Sequence, residues 1–289
     1  MKEIVVISGK GGTGKTSVTA AFAALSPEDT LVADCDVDAA DMHLLLKPDF
    51  NREEVFYSGQ TAYIDQQICT RCNKCIKVCR FDAIHHNGET FTVDPIECEG
   101  CGYCEKICPV QAIEMQDALS GKTYISTTRL DNTLVHAELE IAAENSGKLV
   151  TRVKTLAREQ VKNQQKDFLL IDGTPGIGCP VTASVTGADY VVIVTEPSMS
   201  GVHDMKRAFE LIRHFAIPAG LIINKCDLNE TVAAEIRSYA REHGIEIMVE
   251  IPYNEKFVEA LVQAQTIGEY DTELKDLISR AWDKVRGSV

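Results

Sequence analysis

Eight of the eleven cysteines fall in two runs of one spacing, C-x₂-C-x₂-C-x₃-C: Cys69, Cys72, Cys75 and Cys79, then Cys98, Cys101, Cys104 and Cys108. Three thiols in so tight a curl can cap three corners of a [4Fe–4S] cube, with the fourth ligand supplied by the other run. On that logic Cys69, Cys72, Cys75 and Cys108 hold one cluster, and Cys98, Cys101, Cys104 and Cys79 hold a second. Zinc is the alternative metal, but zinc ligands come as paired C-x₂₋₄-C units set well apart. The runs form an internal repeat with a single offset, which also pairs Asp65 with Asp94 and Ala83-Ile84 with Ala112-Ile113. Pro109 follows the second run, whereas Arg80 takes that place after the first. An arginine beside a cluster favours the added electron; a solvated surface arginine is the plainer reading.

A second set of residues points to phosphate chemistry. Residues 9–16, GKGGTGKT, fit G-x-x-x-x-G-K-[ST], between an apolar strand at 4–7 and the helix-like SVTAAFAAL. Gly9, Gly11, Gly12 and Gly14 let backbone N–H groups turn inward around phosphate oxygens, with Thr13 and Ser17 completing the loop. Lys15 is placed to contact the β- and γ-phosphates, and Thr16 to put its hydroxyl on Mg²⁺. A glycine-rich turn that fits by chance is the competing reading, and the strand–loop–helix context argues against it. Further along, KDFLLID ends an apolar strand in Asp172, the acid expected on Mg²⁺. The segment TLVADCDVDAAD offers Asp34, Asp36 and Asp38; for Asp34 and Asp38 an acidic strand end capping a helix is the alternative. Asn224–Asp227, NKCD, also matches the guanine-reading signature N-K-x-D, so GTP stands beside ATP.

The elements around these motifs alternate strand and helix: EIVVIS, KDFLLID, YVVIVT and GLIIN are buried-type strands separated by helical patterns. That alternation predicts a doubly wound, mostly parallel α/β sheet with ligand at the carboxyl ends of its strands. The cysteine repeat, 60–117, interrupts it, leaving 1–59 and 118–289 to fold together because neither piece holds a whole phosphate site. Gly59 and Gly121 flank the insert as expected hinges. The C-terminal TELKDLISRAWDKVRGSV puts Leu274, Leu277, Ile278, Trp282 and Val285 on one stripe, predicting a helix packed on its own domain. Its charges balance, so stable membrane binding is not expected. The net charge of −14 argues against non-specific nucleic-acid binding. A strand-like run begins almost at once, leaving no room for a signal peptide, and no stretch of 18 apolar residues occurs, so a cytoplasmic location is expected. Metal ligation therefore explains the eight cysteines better than disulfides. Cys35, Cys179 and Cys226 read as small buried residues, His203 as structural or solvated, and His85 and His86 as turn residues between the repeats.

Lys10, directly after the first glycine, makes the loop resemble the deviant Walker A loop of the family that includes MinD, ParA and the nitrogenase iron protein. HAELEIAAENSGKLV, DGTPGIGCPV and TEPSMSGVHDMKRAFELI extend the resemblance over nearly the full length, to MinD-superfamily ATPases carrying an inserted two-cluster ferredoxin. The resemblance implies a P-loop NTPase of doubly wound, mostly parallel α/β fold with a small α+β ferredoxin-type insert. It implies that Lys10 reaches across a dimer to the partner's nucleotide, that Asp36 positions the attacking water, and that residues 173–176 sense the γ-phosphate. Asn224 would then face adenine, and Pro252 in IPYNEKFVEA would help close the base pocket, which favours ATP over GTP. A homodimer, or a heterodimer with a related ATPase, and a redox protein partner complete the expectation. The implied function is ATP-dependent control of electron transfer. A redox-sensing positioning switch and an iron–sulfur carrier of the Mrp type are the alternatives, the latter disfavoured because no C-x-x-C follows residue 108.

Overall fold

The computed structural model describes residues 1–140 and 146–289. In chain order the elements are β1 (Lys2–Ser8), α1 (Lys15–Leu25), β2 (Thr30–Asp34), α2 (Met42–Leu46), β3 (Arg52–Ile64), α3 (Lys74–Val78), β4 (Ile84–His86) and β5 (Phe91–Val93). They continue with α4 (Tyr103–Ile107), β6 (Ile113–Thr127), β7 (Thr133–Leu139), α5 (Ser146–Gln164), β8 (Phe168–Asp172), α6 (Cys179–Val185) and β9 (Tyr190–Thr195). Last come α7 (Met199–His214), β10 (Ala219–Asn224), α8 (Glu230–Glu242), β11 (Glu246–Ile251), α9 (Lys256–Val262), α10 (Ile267–Tyr270) and α11 (Thr272–Gly287). The chain divides into two units, one of Met1–Glu54, Thr123–Glu138 and Ser146–Val289, the other of Val55–Lys122 and Leu139–Asn145.

In the larger unit the apolar runs become parallel strands because both their faces are covered. β1 pairs in parallel with β8 on one side (Ile4 opposite Leu170) and with β9 on the other (Ile4 opposite Tyr190). Within this unit the strand order is β11-β10-β9-β1-β8-β2-β7. From β1 the chain crosses to β2 beyond β8, and from β8 it crosses to β9 beyond β1. The connections therefore part company around β1, and the crevice at the carboxyl ends of these strands is where an open α/β sheet takes its ligand. α11 packs on α1 as its apolar stripe predicts: Trp282 stacks on Phe22 at 5.0 Å, and its Nε1 donates to Ser26 Oγ at 3.0 Å. α5 is held by a buried ionic cluster in which Glu3 pairs with Lys154 and Arg158, each at 2.7 Å. Among the described residues no helix is long and apolar enough to cross a membrane.

The smaller unit repeats itself. Asp65 N donates to Ala112 O, and Asp94 N to Ala83 O, both at 2.8 Å, so each half is tied to the other by an equivalent bond. Left-handed backbone recurs at matching places: Arg71 and Gly100, Asn73 and Gly102, Asp82 and Gln111. Ala62, Ile64, Ile84, Phe91 and Ile113 form its core, with Cys69, Cys75, Cys79, Cys98, Cys104 and Cys108 packed around them and Cys72 and Cys101 exposed. The two glycines expected as hinges lie within strands, Gly59 inside β3 and Gly121 inside β6. These strands are neighbours in the sheet, and Ser120 Oγ donates to Ser58 O at 2.6 Å, so pairing holds the backbone at both glycines. The unit carrying the cysteines is also wider than 60–117 at both ends. Residues 141–145 of HAELEIAAENSGKLV lie outside the described residues.

Candidate functional site

The phosphate loop, 9–14, joins β1 to α1, and its glycines are set by close neighbours. A Cβ on Gly9 would lie 2.5 Å from the Asp204 carbonyl carbon, so α7 can approach only a glycine there. Gly14 has φ 93° and would bring a Cβ within 2.4 Å of Asn224 Nδ2. Asn224 Nδ2 donates to Thr13 O at 2.7 Å, tying the loop to the end of β10. Within the loop Thr13 Oγ1 is buried without a hydrogen-bond partner.

Behind the loop lies a buried ionic knot. Lys15 Nζ is 2.8 Å from Asp172 Oδ2 and 3.3 Å from Asp36 Oδ2. Thr16 Oγ1 donates to Asp172 Oδ2 at 2.7 Å, and Thr19 Oγ1 to Asp172 Oδ1 at 3.0 Å. Asp34 Oδ1 accepts the Asp36 amide at 3.0 Å. Lys15, Asp34, Asp36 and Asp172 are 5%, 2%, 7% and 0% exposed, so three carboxyls share one ammonium away from water. Burial, reinforced by Asp172, pushes the Asp34 carboxyl well above its ordinary value. Burial likewise raises Asp36, against the opposing pull of Lys15. For Lys15 burial acts downward, but Asp172, Asp36 and Asp34 together outweigh it and raise the ammonium. The excess of acid over base suits a divalent cation.

Other expected residues are placed as follows. Lys10 Nζ lies 2.7 Å from Glu196 Oε1 and donates to Ser198 Oγ at 2.9 Å and Ser200 Oγ at 3.0 Å. Lys225 Nζ takes the other Glu196 oxygen at 2.7 Å and also donates to Gly12 O at 3.0 Å. Burial acts to raise Glu196, but hydrogen bonds from Lys10 and Lys225 prevail and hold its pKa below the ordinary value. Ser17 is half-buried in the first turn of α1, and Gly11 is exposed. Asp227 Oδ1 accepts the Tyr253 amide at 2.6 Å, and Pro252 is exposed beside it. Asn224 is occupied on both sides, since its Oδ1 accepts the Lys225 amide at 3.0 Å. Thr174 Oγ1 in the 173–176 turn donates to Cys35 O at 3.0 Å.

Glu196, Lys225 and Thr19 were not singled out by the sequence patterns. Thr19 sits one helical turn beyond Thr16 and so shares its face, a usable signal; Glu196 and Lys225 meet only through the packing of β9 beside β10. Cys35 is buried as expected, but Cys226 is half-buried and Cys179 is exposed. Cys179 opens α6 just after the 173–178 loop, where the chain emerges at the surface. His203, His85, His86 and Arg80 are exposed.

In the smaller unit the eight cysteines line two cavities. The first is lined by Cys69, Cys72, Cys75 and Cys108 with Ile64, Phe91 and Ile113. The second is lined by Cys79, Cys98, Cys101 and Cys104 with Ala62, Ile84 and Val93. Each cavity combines three thiols of one run with the last thiol of the other, because α3 and α4 pack together and Cys79 and Cys108 end those helices. A zinc ion needs its thiols drawn in to about 2.3 Å from a common centre. Among the described residues no three of these sulfurs lie within 4.8 Å of one another. Four thiols spread around an apolar hollow suit a bulkier multinuclear group.

A strand–loop–helix with a buried lysine, a hydroxyl and an acid at the switch point of a parallel sheet defines a P-loop nucleotide-binding protein. Residues 4–267 match the CobQ/CobB/MinD/ParA nucleotide binding domain, and the chain belongs to that family of P-loop ATPases. It is 37% identical over 230 residues to an uncharacterized protein of Methanocaldococcus jannaschii, covering 78% of this chain and 79% of that one. A second uncharacterized protein of the same organism is 25% identical over 276 residues, covering 94% and 93%. Among solved structures, the fold is similar to the septum site-determining protein MinD complexed with Mg-ADP from Pyrococcus horikoshii OT3, with TM-score 0.59 and 18% identity over 98% of this chain and 95% of that one. It is also similar to the cell division ATPase MinD of Pyrococcus furiosus, with TM-score 0.60 and 17% identity over 100% and 99%.

Proposed function

We propose that this chain is a Mg²⁺-dependent ATPase that couples its nucleotide state to electron transfer through two [4Fe–4S] clusters, to or from a redox protein partner. The observation that carries this reading is the pair of four-cysteine cavities in a chain that also has a complete phosphate loop. In the nucleotide unit, Lys15 would exchange Asp172 and Asp36 for phosphate oxygens, leaving Thr16 and Asp172 to hold Mg²⁺ and Asp36 to orient the attacking water. The Lys10–Glu196 pair, 28% and 16% exposed at the side chains, can open at modest cost, freeing Lys10 to reach the nucleotide of a second copy or of a related ATPase. ATP is favoured over GTP because Asp227 already accepts the Tyr253 amide. In the other unit Cys69, Cys72, Cys75 and Cys108 would hold one cluster and Cys79, Cys98, Cys101 and Cys104 the other. When bound, the clusters supply one-electron transfer. Six of the thiols pack against the apolar core while Cys72 and Cys101 stay exposed, and the left-handed turns at 71, 73, 100 and 102 curl each run around its cavity. The location expected is the cytoplasm, with no nucleic-acid partner.

Anaerobic reconstitution followed by iron and sulfide analysis, EPR of the dithionite-reduced protein, and an ATP hydrolysis assay tests this reading. Two clusters per chain together with Mg²⁺-dependent hydrolysis are expected. Stoichiometric zinc with no EPR-active iron would overturn it.

A further inference from the structure

We propose that the two cysteine cavities are electrostatically unequal, so that an electron entering this unit settles in the cavity of Cys69, Cys72, Cys75 and Cys108. The inference rests on the cluster reading above and adds to it an order of reduction. The two cavities share their ligand set and apolar floor, so thiol number does not distinguish them. Their charged linings do. Arg71 and Lys74 line the first cavity, whereas Glu99 lines the second with Phe81 and Tyr103.

The repeat makes the contrast sharper, because equivalent positions can be compared directly. Arg71 corresponds to Gly100, Lys74 to Tyr103 and Arg80 to Pro109, while Glu99 corresponds to Thr70. Of the charged residues on the two runs, Arg71 and Lys74 line the first cavity and Glu99 the second, while Arg80 adjoins Cys79 of the second cavity and is no part of the contrast. Arg71 and Lys74 are exposed, and among the described residues neither side chain has an ion-pair or hydrogen-bond partner. Their charge is therefore not neutralised by neighbours, in a protein whose net charge is −14. Cys108 Sγ also accepts the Ala112 amide at 3.2 Å, and hydrogen bonds to sulfur favour the reduced form.

Reduction adds one electron from an external one-electron donor and neither forms nor breaks a bond. The added negative charge is favoured beside Arg71 and Lys74 and disfavoured beside Glu99. Because these groups are solvent-exposed, salt should shrink the difference.

The test is an EPR-monitored redox titration of the whole reconstituted chain, with dithionite as reductant and iron content measured on every sample. Two resolved one-electron steps are expected. Arg71→Gln with Lys74→Gln should lower the upper step and leave the lower one in place. Glu99→Gln should raise the lower step alone, and high salt should bring the two together. Coincident steps in the unmodified protein would overturn the inference, as would a double variant that moves the lower step or both equally at full iron content. Should the unmodified protein hold no clusters, the reading beneath fails, and the order of reduction falls with it.

Discussion

The two units meet their polar chemistry in opposite ways. In the nucleotide unit the reactive groups satisfy one another: Lys15 with Asp172 and Asp36, Thr16 and Thr19 with Asp172, Lys10 and Lys225 with Glu196. In the cysteine unit the reactive groups surround two hollows and are not drawn together. The difference fits what each site is proposed to hold. A charged, exchangeable ligand is best received by internal pairs that can be swapped one for another, since a buried lone charge is costly. A resident group that is itself part of the core needs a shaped space and fixed ligands.

The sharpest way to break this contrast is to remove the lysine at the centre of the ionic knot. Lys15→Ala should weaken nucleotide binding by about a hundredfold or more, the scale of truncating one partner of a buried charged contact. Iron content should stay unchanged, measured on the same preparation. Nucleotide binding at the original affinity would show that the knot is not the phosphate site. Cys72→Ser should do the converse, removing one of the two EPR signals while nucleotide titrations stay the same. Full iron content with both signals intact would refute the ligand grouping.

Stability should separate the units as well. Glu3→Ala leaves Lys154, which is 2% exposed, without its carboxylate and should cost about 3 kcal/mol. Trp282, the single tryptophan, lies in the nucleotide unit and reports its urea unfolding by fluorescence. An unchanged midpoint would mean that the Glu3 cluster contributes little. The smallest effect concerns protons. Burial holds Asp34 and Asp36 above the ordinary carboxyl value, so a proton competes with an incoming cation as pH falls. Mg²⁺–nucleotide affinity should therefore drop on acidification, by at most about tenfold per pH unit for each proton displaced. Asp34→Asn should flatten that slope. An affinity that rises toward acid pH would contradict the sign.

What the sequence makes legible is whatever depends on spacing alone. The strand–loop–helix around 9–16 is local, and so is the curl of three cysteines, whose fourth partner must come from elsewhere once three are spent. The apolar strands were readable because parallel strands are covered on both faces and so lack alternation. Tertiary packing decides the rest. Nothing local says that Glu196 will lie between Lys10 and Lys225, or that Asn224 will tie down Thr13. Gly59 and Gly121 look like hinges in isolation, yet strand pairing holds both. Cys179 resembles a small core residue by composition, but it opens a helix where the chain surfaces.

The proposed coupling of nucleotide state to electron transfer is open to an anaerobic redox titration followed by EPR. The titration is run with no nucleotide, with MgADP, and with a non-hydrolysable MgATP analogue. At least one reduction step, or its spectrum, is expected to differ between the ADP and ATP-analogue states. Superimposable titrations in all three states would contradict it.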